Sequence, residues 1–172
     1  MVFVMPTDAE ITFADHTGRF YARRYGLPPM VGRLLGYLAV CDPPEQSLAE
    51  LADALLASRS AIAGAVKVLE AMSYVRRTRS AGERMDRVRI DMSSPQSLGL
   101  DVSEYEELRE LAQEGLNVVR DAPAERRAVL LEMSAFAEFL VERMPVLAQE
   151  WQAWREALVA AGRLPDPSRR GG

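Results

Sequence analysis

Between Arg59 and Arg89 the 172-residue chain carries eight cationic side chains and only three acidic ones. The cations are Arg59, Lys67, Arg76, Arg77, Arg79, Arg84, Arg87 and Arg89; the acids are Glu70, Glu83 and Asp86. Cations at this density do one kind of chemistry well: they neutralise phosphates and release the counterions condensed around them. Arg59 can do more, because a planar guanidinium matches the paired acceptors of a guanine edge. Ser58 and Ser60 flank it with hydroxyls that suit a phosphate or a base edge. Ala63 can touch a thymine methyl, and Lys67 is placed for a backbone phosphate. Arg84 follows Gly82 at a loop tip, where an arginine can enter a narrow minor groove. Asp86 and Arg87 are expected to pair and brace that loop.

Other chemistries find little support. His16 is the only histidine and Cys41 the only thiol, and they fall on different predicted helices. Nucleophilic catalysis and metal binding both need such groups in company. No catalytic residue, metal ligand or cofactor site is therefore expected. Glu104, Glu106, Glu107 and Glu110 read as a solvated helix face. His16 reads as a surface or dimer-contact residue, and Cys41 as a small apolar residue near a helix end. No run of about 18 apolar residues exists, so no membrane span is expected. The N-terminus has no basic stretch before an apolar core, so no secretory signal is expected. One cysteine fits a reducing compartment, and the cytoplasm is the expected location.

The phosphate-binding residues need a scaffold, and the pattern around them supplies one. Ser47-Leu48-Ala49-Glu50 is a capping box opening a short helix to about Leu55. Leu56-Ala57 make a turn, and Ser58 caps a second helix to about Met72. Ile62, Ala65, Val66 and Leu69 have the spacing of a packed face. That stripe turns Arg59, Ser60, Ala63, Gly64 and Lys67 outward. Val75 to Ser80 reads as a strand, Ala81 to Asp86 as a loop, and Arg87 to Met92 as the returning strand. Helix, turn, helix and β-hairpin in this order make a winged helix-turn-helix, built to lay one helix in a DNA groove.

The flanks are helical. Thr7-Asp8-Ala9-Glu10 is another capping box, predicting a helix to about Arg24. A second helix is predicted from Pro29 to Val40, with Gly32 and Gly36 on one face for close helix approach. Beyond a linker at 93–97, Asp101-Val102-Ser103-Glu104 is expected to cap a helix to about Arg120. The last long helix begins at Ala122-Pro123, and Pro145 is expected to kink or interrupt it. The fold class is mainly α with a small two- or three-stranded β wing. The expected organisation is an N-terminal helix at 1–28 contributing to dimerisation and a DNA-binding domain at 29–95. A helical dimerisation region at 96–162 and a disordered tail at 163–172 complete it. Phe13, Phe20, Phe136, Phe139, Leu140, Trp151 and Trp154 are the candidate dimer-core residues. The formal net charge of −4 hides a segregation, since Asp101 to Arg143 holds eleven acids against five arginines.

The run VGRLLGYLAVCDPPEQSLAELADALLASRSAIAGAVKVLEAMSYVRRTRSAGERMDRVRI resembles a MarR-type winged helix, and more narrowly the GbsR-like branch. The matching points are Gly32-Arg33 with Gly36, Ser47-Leu48 through Glu50-Leu51-Ala52, and Ser58. Leu69-Glu70, Val75-Arg76-Arg77 and Gly82-Glu83-Arg84 complete the series. The resemblance implies a sequence-specific transcriptional regulator of double-stranded DNA, repressor-type and homodimeric, with helices from both chain ends interleaved. It also implies a small-molecule effector of unspecified identity. The chain departs from the pattern at Ala61, Ala63 and Gly64, where the family tends to carry polar residues. Few side chains then remain to read base edges, and the wing and DNA shape must help. A winged helix that serves only as a protein-interaction scaffold is the alternative.

Overall fold

The structure is a computed structural model and describes residues 3–79 and 86–165. The wing tip, with Gly82, Glu83 and Arg84, lies outside the described residues, as does the tail from 166 onward. The chain forms two compact units, Met1–Ser97 and Leu98–Gly172.

In the first unit, α1 (Asp8–Tyr25) starts at the expected capping box. The Thr7 hydroxyl accepts from the Glu10 amide, and the Glu10 carboxylate accepts from the Thr7 amide. It stops at Gly26, which takes the left-handed φ of 67° that glycine adopts without penalty. Helix α2 (Pro29–Val40) begins on proline, whose missing N–H is no loss in a first turn. The two helices cross closely. A Cβ built on Gly36 would lie 2.6 Å from the Thr17 Cβ and 3.0 Å from the Ala14 Cα. Gly36→Ala should therefore destabilise this unit by about 1–2 kcal/mol, overpacking outweighing the gain in helix propensity. Urea unfolding at unchanged m-value checks it.

Strand β1 (Gln46–Ser47) leads into α3 (Leu48–Ala54), which Ser47 and Glu50 cap reciprocally at 3.2 and 2.6 Å. Helix α4 (Arg59–Ala71) follows with Ser58 as its cap. The predicted stripe is its buried face: Ile62, Val66 and Leu69 are fully covered, and Ala65 nearly so. They pack with Leu34, Leu51, Leu55, Val75 and Val88 in one core. Strands β2 (Val75–Thr78) and β3 (Arg87–Ile90) form the wing, somewhat shorter than the sequence suggests. The antiparallel sheet has the order β1-β3-β2, so the wing is three-stranded. Its first strand is two residues long, below the length at which alternation can be read.

In the second unit, α5 (Ser103–Val118) and α6 (Ala124–Ala160) pack on one another. Gly115 lets α5 approach Leu130, and Ala112, Leu116 and Ala137 are buried. One expectation needs correction and another is narrowed. Asp101 is not the N-cap of α5: the cap position is Val102, without a side-chain bond, and the Asp101 carboxylate accepts from Ser103 instead. Pro145 does not interrupt the last helix, which is continuous over 37 residues, or about 55 Å. Pro145 is exposed there; its fixed φ suits a helix, and water can replace the backbone bond it lacks. No described helix is long and apolar enough to cross a membrane.

Candidate nucleic-acid interface

The first residues of α4 do not stand alone. Arg59, Ser60 and Ala63 line an open concavity of about 470 Å³ together with Ser47, Leu48 and Ala49 around the start of α3, and with Arg77, Arg79 and Asp86 from the wing. The Ser58 hydroxyl accepts from the Ala61 amide, which fixes the start of α4, and lies 3.0 Å from the Ser60 hydroxyl. The core on its far side fixes the rotation of α4. The outward positions are consequently Arg59, Ser60, Ala61, Gly64 and Lys67, all exposed, with Ala63 half-buried at the edge.

Arg77 and Arg79 were not singled out by sequence, although a signal existed. Strand alternation counted from Val75, which is buried, puts Arg77 on the same face of the hairpin as the core. Its register partner Val88 is buried as well. That face is the one turned toward α4. Arg79 continues the alternation just past the strand and reaches the same concavity.

Most of the arginines on the wing have acidic partners. Arg77 makes a two-pronged bond to Glu70, at 2.9 and 3.3 Å. Arg79 donates to Asp86 at 2.7 Å, and Arg76 pairs with Asp91. Arg89 reaches the Glu45 carboxylate at 3.3 Å. Arg87 donates to the Glu45 carbonyl and to the Glu50 carboxylate, both at 3.1 Å. Arg87 thus ties the wing to the capping box of α3, and Asp86 turns to Arg79 rather than to Arg87 as the sequence suggests. The Ser93 hydroxyl, and then Arg76, hold Asp91 below the usual carboxylate range, so it is charged at neutral pH. Eight cations against three acids in the sequence become eight against six once Glu45, Glu50 and Asp91 are included. Glu45 sits more than thirty residues from Thr78 and Arg89, which it meets in space. Arg59 and Lys67, in contrast, have no ion pair or hydrogen bond among the described residues.

The remaining candidates lie elsewhere. Phe13 and Phe20 are about half exposed on α1, where Phe20 meets Tyr21 and Tyr25 edge-on. Phe136, Phe139 and Trp154 are more than half exposed on α6; Leu140 and Trp151 are half-buried. His16 is exposed on α1. Cys41 is buried, its thiol donating to the Pro43 carbonyl, and burial pushes it up to about 11. It is protonated at neutral pH and a poor nucleophile. No group of acidic, histidine or cysteine side chains among the described residues could hold a metal ion. Glu104, Glu106, Glu107 and Glu110 are all exposed, as a solvated face would be.

Gly64 is at the centre of the outward face, with nothing within 4 Å of a Cβ built there. An alanine would fit the free protein and favour the helix by roughly 0.5–1 kcal/mol. Against a duplex, the same methyl would hold the backbone away. Gly64→Ala should raise the melting temperature and lower duplex affinity, two changes of opposite sign, read by calorimetry and anisotropy.

A capped helix packed across a second one, with its outer face open beside a three-stranded wing, defines a winged helix-turn-helix of the DNA-binding class. The chain belongs to the MarR family of transcriptional regulators. Residues 25–84 match the MarR family model, and residues 96–156 match that of MmpR5-like MarR family transcriptional regulators. The HTH-type transcriptional regulator MmpR5 of Mycobacterium tuberculosis is 36% identical over 125 residues, covering 70% of this chain and 73% of that protein. A transcriptional regulator of known crystal structure superposes with a TM-score of 0.77 at 29% identity, covering 84% of this chain and 99% of its own. Family membership makes this a non-enzymatic regulator that acts by binding DNA.

Proposed function

We propose that the chain acts as a repressor-type homodimer that reads duplex DNA with α4 and the wing. The observation that carries this reading is Arg59 at the start of α4, which makes no ion pair or hydrogen bond among the described residues and lies inside a concavity that also holds Arg77 and Arg79. An exposed cation without an acidic partner is free to meet a phosphate or a guanine edge. Ser58, Ser60 and Ala63 share its end of the helix, and Lys67 stands on the outward face further along it. Arg87 is better employed as a brace, since it is bound to Glu45 and Glu50. Arg84 is proposed for the minor groove from its place after Gly82 in the sequence.

One helix reads only a few base pairs, and a dimer reads two half-sites roughly 34 Å apart. The exposed apolar residues of α6 support the pairing. Within its unit, α5 is 16 residues long and can flank less than half of α6. Val129, Phe136, Leu147 and Trp154 fall on one side of the longer helix and are exposed. An apolar stripe of this length on a soluble chain marks an interaction surface. A small-molecule effector that binds two spacings of the half-sites unequally would change DNA affinity. The protein would work where the DNA is, in the cytoplasm. The resemblance to the GbsR-like branch rests on residues 31–90, whereas the MmpR5-like match rests on residues 96–156. The branch of the winged helix is therefore the finer part of the proposal.

A second reading, a winged helix used only for protein contacts, draws on the acids that neutralise Arg76, Arg77, Arg79, Arg87 and Arg89. Retention on immobilised random duplex separates the two. DNA binding predicts retention at low salt that is lost at high salt. A chain that flows through at low salt supports the scaffold.

A further inference from the structure

The concavity beside α4 is lined by one carboxylate, and a second carboxylate holds an arginine of its lining. Asp86 lines the concavity and holds Arg79; Glu70, near the end of α4, holds Arg77. Both pairs are accessible to solvent, with side chains between 32% and 63% exposed. A surface that only needed affinity for phosphate would do better without these acids. We propose that Glu70 and Asp86 are specificity-setting residues: they occupy Arg77 and Arg79 until a duplex docks in register, and so suppress binding to unrelated sequence. This inference rests on the DNA-binding reading above.

The magnitudes fit such a role. An exposed ion pair is weak enough for a well-placed phosphate to open it. One phosphate contact adds about 0.9 to the salt slope, which multiplies affinity roughly eightfold at 0.1 M salt. A loosely held duplex offers phosphates at varying positions and gains little by opening the pairs. A duplex seated on α4 offers them at fixed positions and opens both. The discrimination arises because the acids compete with phosphate for the same two guanidinium groups.

The test uses the full chain and two 30-base-pair duplexes. One is selected by the wild-type protein from a randomised library, and the other is a scrambled sequence of equal composition. The variants are Glu70→Gln, Asp86→Asn and the double replacement. Each keeps the shape and the hydrogen-bonding oxygen and removes the charge. The double variant should bind the scrambled duplex roughly tenfold or more tightly at 0.1 M salt, with a slope steeper by one to two units. Its slope on the selected duplex should move by less than about half a unit, so the affinity ratio between duplexes falls. If the acids serve only to position the wing, both affinities drop together with the melting temperature, and the inference is overturned. Unchanged slopes and an unchanged ratio overturn it as well, while leaving DNA binding intact. A wild-type chain that selects no duplex overturns the DNA-binding reading, and this inference with it.

Discussion

Glu placed at Phe136 and Trp154 together should convert the protein to a monomer and cost it roughly 100-fold or more in affinity for a two-half-site duplex. The two side chains are 55% and 63% exposed in the single chain, so their replacement removes little from its own core. They stand five turns apart on one side of α6, and each would bury a carboxylate in the proposed seam. An unpaired charge in an apolar interface is far more costly than a lost contact. The large effect on DNA follows from linkage, because joining two reading units makes the second binding event intramolecular and gains factors of 10² to 10⁴. Light scattering and anisotropy on the same sample read both quantities, and circular dichroism should show the helices intact. A variant that stays dimeric would place the pairing surface elsewhere on the chain.

Arg59→Ala should weaken binding to a selected duplex by roughly tenfold to a hundredfold, the loss of a bidentate base contact. It should leave thermal stability within about 0.5 kcal/mol, since Arg59 is exposed and holds no other side chain in place among the described residues. The companion replacement Arg59→Lys separates two roles. A lysine keeps the charge but not the planar fork, so it restores the salt slope but not the preference for one sequence. If Arg59 meets only a phosphate, lysine should restore both, and the slope of the alanine variant should fall by about one unit.

The scaffold of this molecule is written in short-range chemistry, and sequence reading finds it for that reason. Thr7 with Glu10, and Ser47 with Glu50, are three residues apart and cap the helices they open. Ile62, Ala65, Val66 and Leu69 announce the buried side of α4 by spacing alone, and hence its outward side. The wing is harder to read. Its strands follow from alternation, but Gln46 and Ser47 are too short a strand to show any. The acids that meet Arg87 and Arg89 come from Glu45 and Glu50, about forty residues upstream. Counting charges along the chain gives the wing a surplus that its folded neighbours largely remove. Reading that surplus as affinity overstates the wing and understates Arg59, which has no acidic partner among the described residues, a fact visible only in three dimensions. Pro145 misleads for a different reason: a proline inside a helix removes one hydrogen bond and crowds the carbonyl four residues back, a local cost that the long, exposed α6 absorbs without ending.

The proposed repressor-type function requires α4 to enter a groove twice, once from each copy of the chain. Hydroxyl-radical footprinting of the full-length protein on a duplex enriched from a random library addresses this directly. The predicted result is two protected segments about one helical turn apart, with protection at both lost in Arg59→Ala. Failure to enrich any duplex, or protection that does not respond to Arg59, would contradict it.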